Sequence, residues 1–284
     1  MWFKTSKLPA PDHCELAIDA RGLIKNFGDF RAVDGVDLQV RTGSIFGILG
    51  PNGAGKTTTL RMLLGIIEPD SGSRRLLDSL NPLDVAQMVG YLPEERGLYP
   101  SMKAVEAIAF MGALRGLSLG EGRKRARALM EEHDLGFAAD RQIRQLSKGM
   151  AQTVQLLGTF VHQPRLIVLD EPFSGLDALN QQKLERLIRA QADAGVTIIF
   201  STHVIAHAER LCEEIAIIDN GEQDAKLNVE LANLEEQRRA LERTTDLARS
   251  QNVSKSRVDE QTAALRKAEA NVAAARARVA VAAE

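Results

Sequence analysis

Short apolar runs alternate along the first 221 residues with longer stretches whose apolar positions recur every three or four residues. The short runs, Leu16–Asp19, Val36–Val40, Ser44–Leu49, Val89–Leu92, Arg165–Asp170, Val196–Ser201 and Glu214–Asp219, predict strands. The periodic stretches, near Thr57–Ile67, Met102–Arg115, Glu121–His133, Gly149–Val161, Ala178–Ala194 and Val204–Cys212, predict helices. Strands that read as continuous apolar runs are buried on both faces, and their alternation with helices predicts a mainly parallel sheet covered on each side.

The pattern changes after Gly221. From Glu222 to Glu284 there is no Gly, Pro or aromatic residue, and Ala, Glu, Arg, Gln and Leu dominate. Leu227, Leu234, Leu241 and Ala248 recur every seven residues, with Leu231 on an adjoining face. Val258, Leu265, Val272 and Val279 repeat the spacing, with Ala268, Ala275 and Ala282 three residues after the later members. These are two heptad seams. The polar stretch Ser250–Ser254 separates them, and Ser254 or Ser256 suits an N-cap, Ser256 forming a capping box with Asp259. The reading is two antiparallel helices joined by a turn. The chain thus divides into residues 14–221 and 222–284.

Composition narrows the function. Hydrophobic residues at 44% suffice for a buried core, and a net charge of −2 gives no basic bias toward nucleic acid. Cys14 and Cys212 are far apart, as suits reduced thiols. The N-terminal segment lacks the apolar core of a signal peptide, and no apolar run approaches the roughly 20 residues that span a bilayer. A membrane role would run through a partner.

The chemistry is concentrated in Gly50-Pro-Asn-Gly-Ala-Gly55-Lys56-Thr57, which fits G-x-x-x-x-G-K-[ST] between a predicted strand and a predicted helix. In that context glycines let backbone N–H groups turn around phosphate oxygens, and the helix N-terminus adds partial positive charge. Lys56 reaches the β- and γ-phosphates, and the Thr57 hydroxyl coordinates Mg²⁺. Leu166-Ile-Val-Leu-Asp170-Glu171 supplies a buried strand that ends in two carboxylates. Asp170 is placed to hold Mg²⁺ through water, and Glu171 to polarise an attacking water.

Between these motifs lies Leu146-Ser147-Lys148-Gly149-Met150, and with it the chain resembles the ATP-binding cassette (ABC) ATPases, the nucleotide-binding subunits of ABC transporters. The family signature is Leu-Ser-Gly-Gly-Gln; Lys148 and Met150 depart from it and resemble a bacterial export-type branch similar to sodium-efflux ATPases. Tyr91-Leu-Pro-Glu-Glu-Arg-Gly-Leu-Tyr99 resembles the same branch and puts Glu94 where most members carry the Q-loop glutamine. Ser174-Gly-Leu-Asp177 resembles the D-loop, His203 the switch histidine, and Lys25-Asn-Phe27-Gly28 the loop whose aromatic ring stacks on adenine.

The resemblance implies an α/β P-loop NTPase fold with a helical signature subdomain and a small antiparallel β part. It implies ATP and Mg²⁺ as cofactors, with Glu171, His203 and Glu94 as catalytic residues and Thr57, Asp170 and Glu94 at the metal. Phe27, Asn52, Gly53, Ala54, Gly55, Lys56, Thr57, Thr58, Ser147, Gly149 and Asp177 are implied to bind nucleotide. Ser147 and Gly149 are implied to act across a dimer, so a second ATPase subunit and membrane permease subunits are the expected partners. Nucleic acid is not expected, and the implied location is the cytoplasmic face of the cell membrane.

The tail, from about Asp224, resembles instead the α-helical hairpin of periplasmic adaptor proteins: Arg243, Leu247 and Ser254 match the Arg-x₃-Leu-x₆-Ser pattern of the hairpin tip. A generic antiparallel hairpin gives the same seams. The two resemblances disagree over compartment, which points to a chimeric gene product in which a cassette cut near Gly221 carries an adaptor fragment; a natural fusion using a cytosolic dimerisation element is the alternative. The competing function classes are a soluble ABC ATPase of translation or DNA repair, and a non-catalytic coiled-coil interaction protein.

Overall fold

The computed structural model describes residues 16–95, 97–219, 233–245 and 255–283, with side chains of the last segment described from 259 to 273. Cys14, the predicted domain limits at 14 and 221, Leu227, Leu231, Leu247, Ala248 and the predicted turn at 250–254 lie outside the described residues.

The strands are β1 (Leu16–Phe27), β2 (Phe30–Arg41), β3 (Ile45–Leu49), β4 (Ser71–Leu76), β5 (Val89–Leu92), β6 (Leu166–Leu169), β7 (Thr197–Thr202) and β8 (Glu214–Ile217). The helices are α1 (Lys56–Leu63), α2 (Ala104–Ala113), α3 (Leu119–Glu132), α4 (Lys148–Phe160), α5 (Ala178–Asp193), α6 (Ile205–Leu211), α7 (233–245) and α8 (Lys255–Ala283). Five strands form a parallel sheet in the order β5-β6-β7-β3-β8, and three form an antiparallel sheet in the order β2-β1-β4. This is the α/β architecture with a small antiparallel part that the sequence implied.

Strand alternation explains why β3 and β6 are wholly apolar and why β7 is apolar from Ile198 to Phe200. Ile167, Leu169, Ile198 and Phe200 face one hydrophobic cluster, with α2, α3, α4 and α5. Leu166, Val168, Ile199, Phe46 and Ile48 face a second cluster, which contains α1 and the antiparallel sheet. Successive side chains point to opposite faces, so a strand covered on both sides is apolar except where a polar side chain finds a hydrogen-bond partner.

Four elements differ most from the sequence reading. β1 and β2 each run for 12 residues rather than four or five, because register shifts between Ala20 and Leu23, and between Leu23 and Lys25, absorb the breaks in the apolar pattern. β4 was not predicted: Ser-Gly-Ser-Arg-Arg precedes its one buried residue, Leu76, and it sits at a sheet edge, where one-sided burial weakens the apolar signal. Helix α1 stops at Leu63, short of the predicted Ile67.

The chain divides into two compact units after Ile218. In the second, Arg238 of α7 lies 3.9 Å from Glu269 of α8, so the two helices run side by side. Leu234 and Leu241 are half-buried, and Ala268 and Val272 are buried, all at seam positions. Lys255 is already helical, which places Ser256 inside α8 rather than at its N-cap; the candidate Ser254 lies outside the described residues. Among the described residues no helix is long and apolar enough to cross a membrane.

Candidate functional site

The C-terminal ends of β3, β6 and β7 lie side by side, because Leu49 pairs with Thr202 and Leu169 with Phe200. Ligand sites of open parallel sheets form at this edge. Three segments meet there: Gly50–Thr57 after β3, Asp170–Glu171 after β6, and Ser201–His203 closing β7.

The loop after β3 turns sharply into α1. Gly55 is the N-cap with φ 91°, a left-handed conformation, and a side chain there would strike the Ala32 carbonyl. No side chain caps α1, so its first N–H groups remain available for an anion. Ala54 is buried, while Asn52 and Gly53 are exposed. Thr57 and Thr58 occupy the first turn of α1, partly exposed. The Lys56 ammonium is buried; it donates to the carbonyls of Gly50 at 2.8 Å and Pro51 at 3.0 Å, and pairs with Glu171 Oε1 at 3.1 Å.

Asp170 is fully buried. Its Oδ1 accepts from Ser201 Oγ at 2.7 Å and from Thr57 Oγ1 at 3.0 Å, while its Oδ2 is buried without a hydrogen-bond partner. Burial pushes its pKa up, opposed by the bonds from Ser201 and Thr57. Two adjacent hard oxygens, with an open carboxylate oxygen, suit Mg²⁺, which takes one or two protein ligands and completes its shell with water and phosphate. Among the described residues no group of three or more His, Cys, Asp or Glu could hold a metal by itself.

Glu171 has φ 46°, a left-handed backbone that costs a non-glycine residue on the order of 1 kcal/mol. Its N–H leaves the sheet ladder and donates to Ser201 Oγ at 2.8 Å. The carboxylate lies between two cations or potential cations: Lys56 on Oε1, and His203 Nδ1 at 2.9 Å from Oε2. His203 is exposed on its other side. The end of β7 also reaches the first loop, since Gly50 N–H donates to the Thr202 carbonyl at 3.2 Å.

A cleft of about 360 Å³ opens beside Glu171, lined by Glu94, Glu95, Lys148, Gln152 and Ser174. Glu94 is therefore near Glu171, and Lys148, the departure from the family signature, shares the same wall. Phe27 stands apart at the β1–β2 turn, half exposed, with Lys25 Nζ 5.8 Å from its ring centroid. Ser147 and Asp177 act locally as helix caps: Ser147 Oγ accepts from Met150 N–H at 3.2 Å, and Asp177 Oδ1 from Asn180 N–H at 2.9 Å. That N–H bond is the main cause holding the Asp177 carboxyl below its usual range. Gly149 is where α4 approaches α5; any side chain there would meet the Asn180 amide.

Sequence reading found both phosphate-directed motifs and His203 but gave Ser201 no role. The only signal was a hydroxyl two residues before His203, in a strand that also carries Thr197 and Thr202.

The ABC transporter family matches residues 33–174. An uncharacterized ABC transporter ATP-binding protein of Bacillus subtilis is 40% identical over 197 residues, 69% of this chain and 66% of that protein. The daunorubicin/doxorubicin resistance ATP-binding protein of Streptomyces peucetius is 37% identical over 208 residues, 72% of this chain and 63% of that protein. The matches thus span just under two thirds of the length of these relatives. Among solved structures, a dimeric bacterial ABC transporter cassette superposes with a TM-score of 0.64 at 25% identity, covering 72% of this chain and 95% of its own.

Proposed function

The chain belongs to the ABC transporter family, and on that premise we propose that it is the ATP-binding and ATP-hydrolysing subunit of a bacterial export-type transporter. One observation carries the reading. Lys56, Thr57, Asp170, Ser201, Glu171 and His203 form one chain of contacts, each link 3.1 Å or shorter, at the ends of three adjacent strands. That is the set of groups needed to hold a triphosphate and activate water.

In this reading the N–H groups of Asn52, Gly53, Ala54, Gly55, Lys56, Thr57 and Thr58 cradle the phosphates, and Lys56 exchanges Glu171 for phosphate oxygens. Thr57 and Asp170 would hold Mg²⁺, which would supply charge neutralisation at the phosphates. Glu171, freed from Lys56, accepts a proton from the attacking water. His203 holds the Glu171 carboxylate and faces the terminal phosphate. Glu94 orders water or metal from the cleft wall, and Phe27 offers its exposed face to adenine. Ser147, Gly149 and Asp177 complete the site of a second subunit, so ATP closes a dimer and hydrolysis releases it. The named relatives and the dimeric neighbour support this assembly, with permease subunits as the membrane partner and the cytoplasmic membrane face as the location. Residues 14–221 make the cassette, and the hairpin from 222 is an appendage to it.

Phosphate release by the purified chain tests the proposal. ATP turnover with Mg²⁺ is expected, together with a loss of ATP affinity of about 10-fold to 100-fold on Lys56→Ala, the scale of one charge-assisted contact. Unchanged affinity by calorimetry would remove the phosphate-loop assignment.

A further inference from the structure

The pivot of the site is a residue that belongs to neither phosphate-directed motif. Ser201 is fully buried on β7, in register with Ile48 of β3. Its single O–H donates to Asp170 Oδ1 at 2.7 Å, and its oxygen accepts the Glu171 N–H at 2.8 Å. Asp170 N–H still follows the sheet, donating to the Leu92 carbonyl at 2.8 Å; the very next N–H turns the other way, toward β7. Successive N–H groups of a strand point to opposite edges, so the Glu171 N–H faces β7 as expected but meets the Ser201 hydroxyl there, at the residue where the backbone takes a left-handed φ of 46°. Without Ser201 Oγ the Glu171 N–H would be buried and unpaired, and Asp170 Oδ1 would keep only Thr57.

Resting on the ATPase reading, we infer that Ser201 is a positioning residue of the reaction: one hydroxyl holds Asp170 Oδ1, and so orients the carboxylate whose unpartnered Oδ2 would serve the metal, and the same hydroxyl holds the backbone N–H of Glu171, the proposed base. Alanine, valine or leucine would satisfy the packing of a buried strand equally well; only a hydroxyl both donates to the carboxylate and accepts from the amide. Because both bonds belong to groups acting after nucleotide has bound, the effect of losing them falls on metal use and turnover rather than on the phosphate cradle.

The test compares Ser201→Ala and Ser201→Cys with the unaltered chain. Cysteine keeps the volume but bonds weakly through sulfur. Both variants are expected to lose about 10-fold to 100-fold in kcat, the range set by leaving one buried polar group unpaired. Calorimetry without Mg²⁺ should give ATP affinity within about twofold of the unaltered chain, while the Mg²⁺ concentration for half-maximal turnover rises. Thermal unfolding of each variant, with a midpoint above the assay temperature, shows that folded protein is being assayed. Unchanged kcat and Mg²⁺ midpoint in Ser201→Ala overturn the inference while leaving the ATPase reading intact. Full rescue by cysteine also overturns it, since space-filling would then suffice. An unaltered chain that neither binds nor turns over ATP overturns both.

Discussion

Glu171 is where the chemistry and the backbone meet. Its carboxylate is buried between Lys56 and His203, and its N–H is held by Ser201. Glu171→Gln preserves shape and removes the basic oxygen. Turnover should fall at least about 100-fold, within the range expected for a positioned general base, while ATP binding persists. Phosphate release and calorimetry on the same sample check this, and turnover near the unaltered rate would remove Glu171 from the mechanism. A second residue reports on acid stability. His162 follows α4, and burial pushes its pKa from the usual 6.5 down to about 4, only partly opposed by the Val89 carbonyl at 3.2 Å from Nε2. The unfolded chain therefore binds this proton more readily than the folded one, and the contribution of neutral His162 is full above about pH 6.5 and lost as pH falls toward 4. Unfolding midpoints measured between pH 7 and 4 should fall less steeply for His162→Gln than for the unaltered chain. His133 and His207 are shifted in the same direction by burial, so the difference between the two curves, rather than either slope, is the observable.

At the level of elements, α4 joins stability to the proposed dimer chemistry through Ser147. The hydroxyl caps the helix, and Ser147→Ala should cost about 1 kcal/mol of stability. Ser147→Asp should recover that loss, because aspartate caps equally well and favours a helix N-terminus. It should not recover turnover, because it brings a negative charge toward a partner's phosphate. Unfolding midpoints and phosphate release on the pair separate the roles; recovery of both by aspartate would confine Ser147 to capping. The elements also show what a sequence carries. The unbroken apolar runs Leu166–Leu169 and Ile198–Phe200 announce two-sided burial, and Lys56 with Thr57 sits in a local pattern that includes its own strand and helix. β4 does not announce itself, since one buried leucine makes no pattern. Ser201 does not either: its partners lie 30 and 31 residues away and are chosen by strand register, which no local window contains. The capping roles of Ser147 and Asp177 are local and readable, whereas any action across a dimer is not encoded in the contacts of one chain.

For the whole molecule, every nucleotide-directed residue precedes the division after Ile218. A chain ending at Gly221 should bind ATP within about threefold of the full chain, since among the described residues the hydrogen bonds and ion pairs of the Lys56, Asp170 and Glu171 side chains all go to residues no later than His203. Calorimetry decides it; lost binding by a truncated chain that keeps its helical circular dichroism would make the hairpin part of the ATPase. The seam of α7 and α8 rests on leucine, valine and alanine, with Ala268 and Val272 its buried positions among the described residues. At about 25 cal/mol per Å² so small an apolar contact contributes little, and the second unit should melt below the first. The shared edge of β3, β6 and β7 has a further consequence, for insertions and deletions rather than substitutions. Leu49, Leu169 and Phe200 act like marks on adjacent rulers, and the loops that follow them are aligned only because the marks agree. Dropping a single residue within β7 would slide Ser201, Thr202 and His203 past all their partners at once and turn each to the opposite face. Adding one at the exposed Gly195 turn, at the far end of the same strand, leaves every mark where it was. Changes in chain length should therefore be tolerated at one edge of this sheet and excluded from the other.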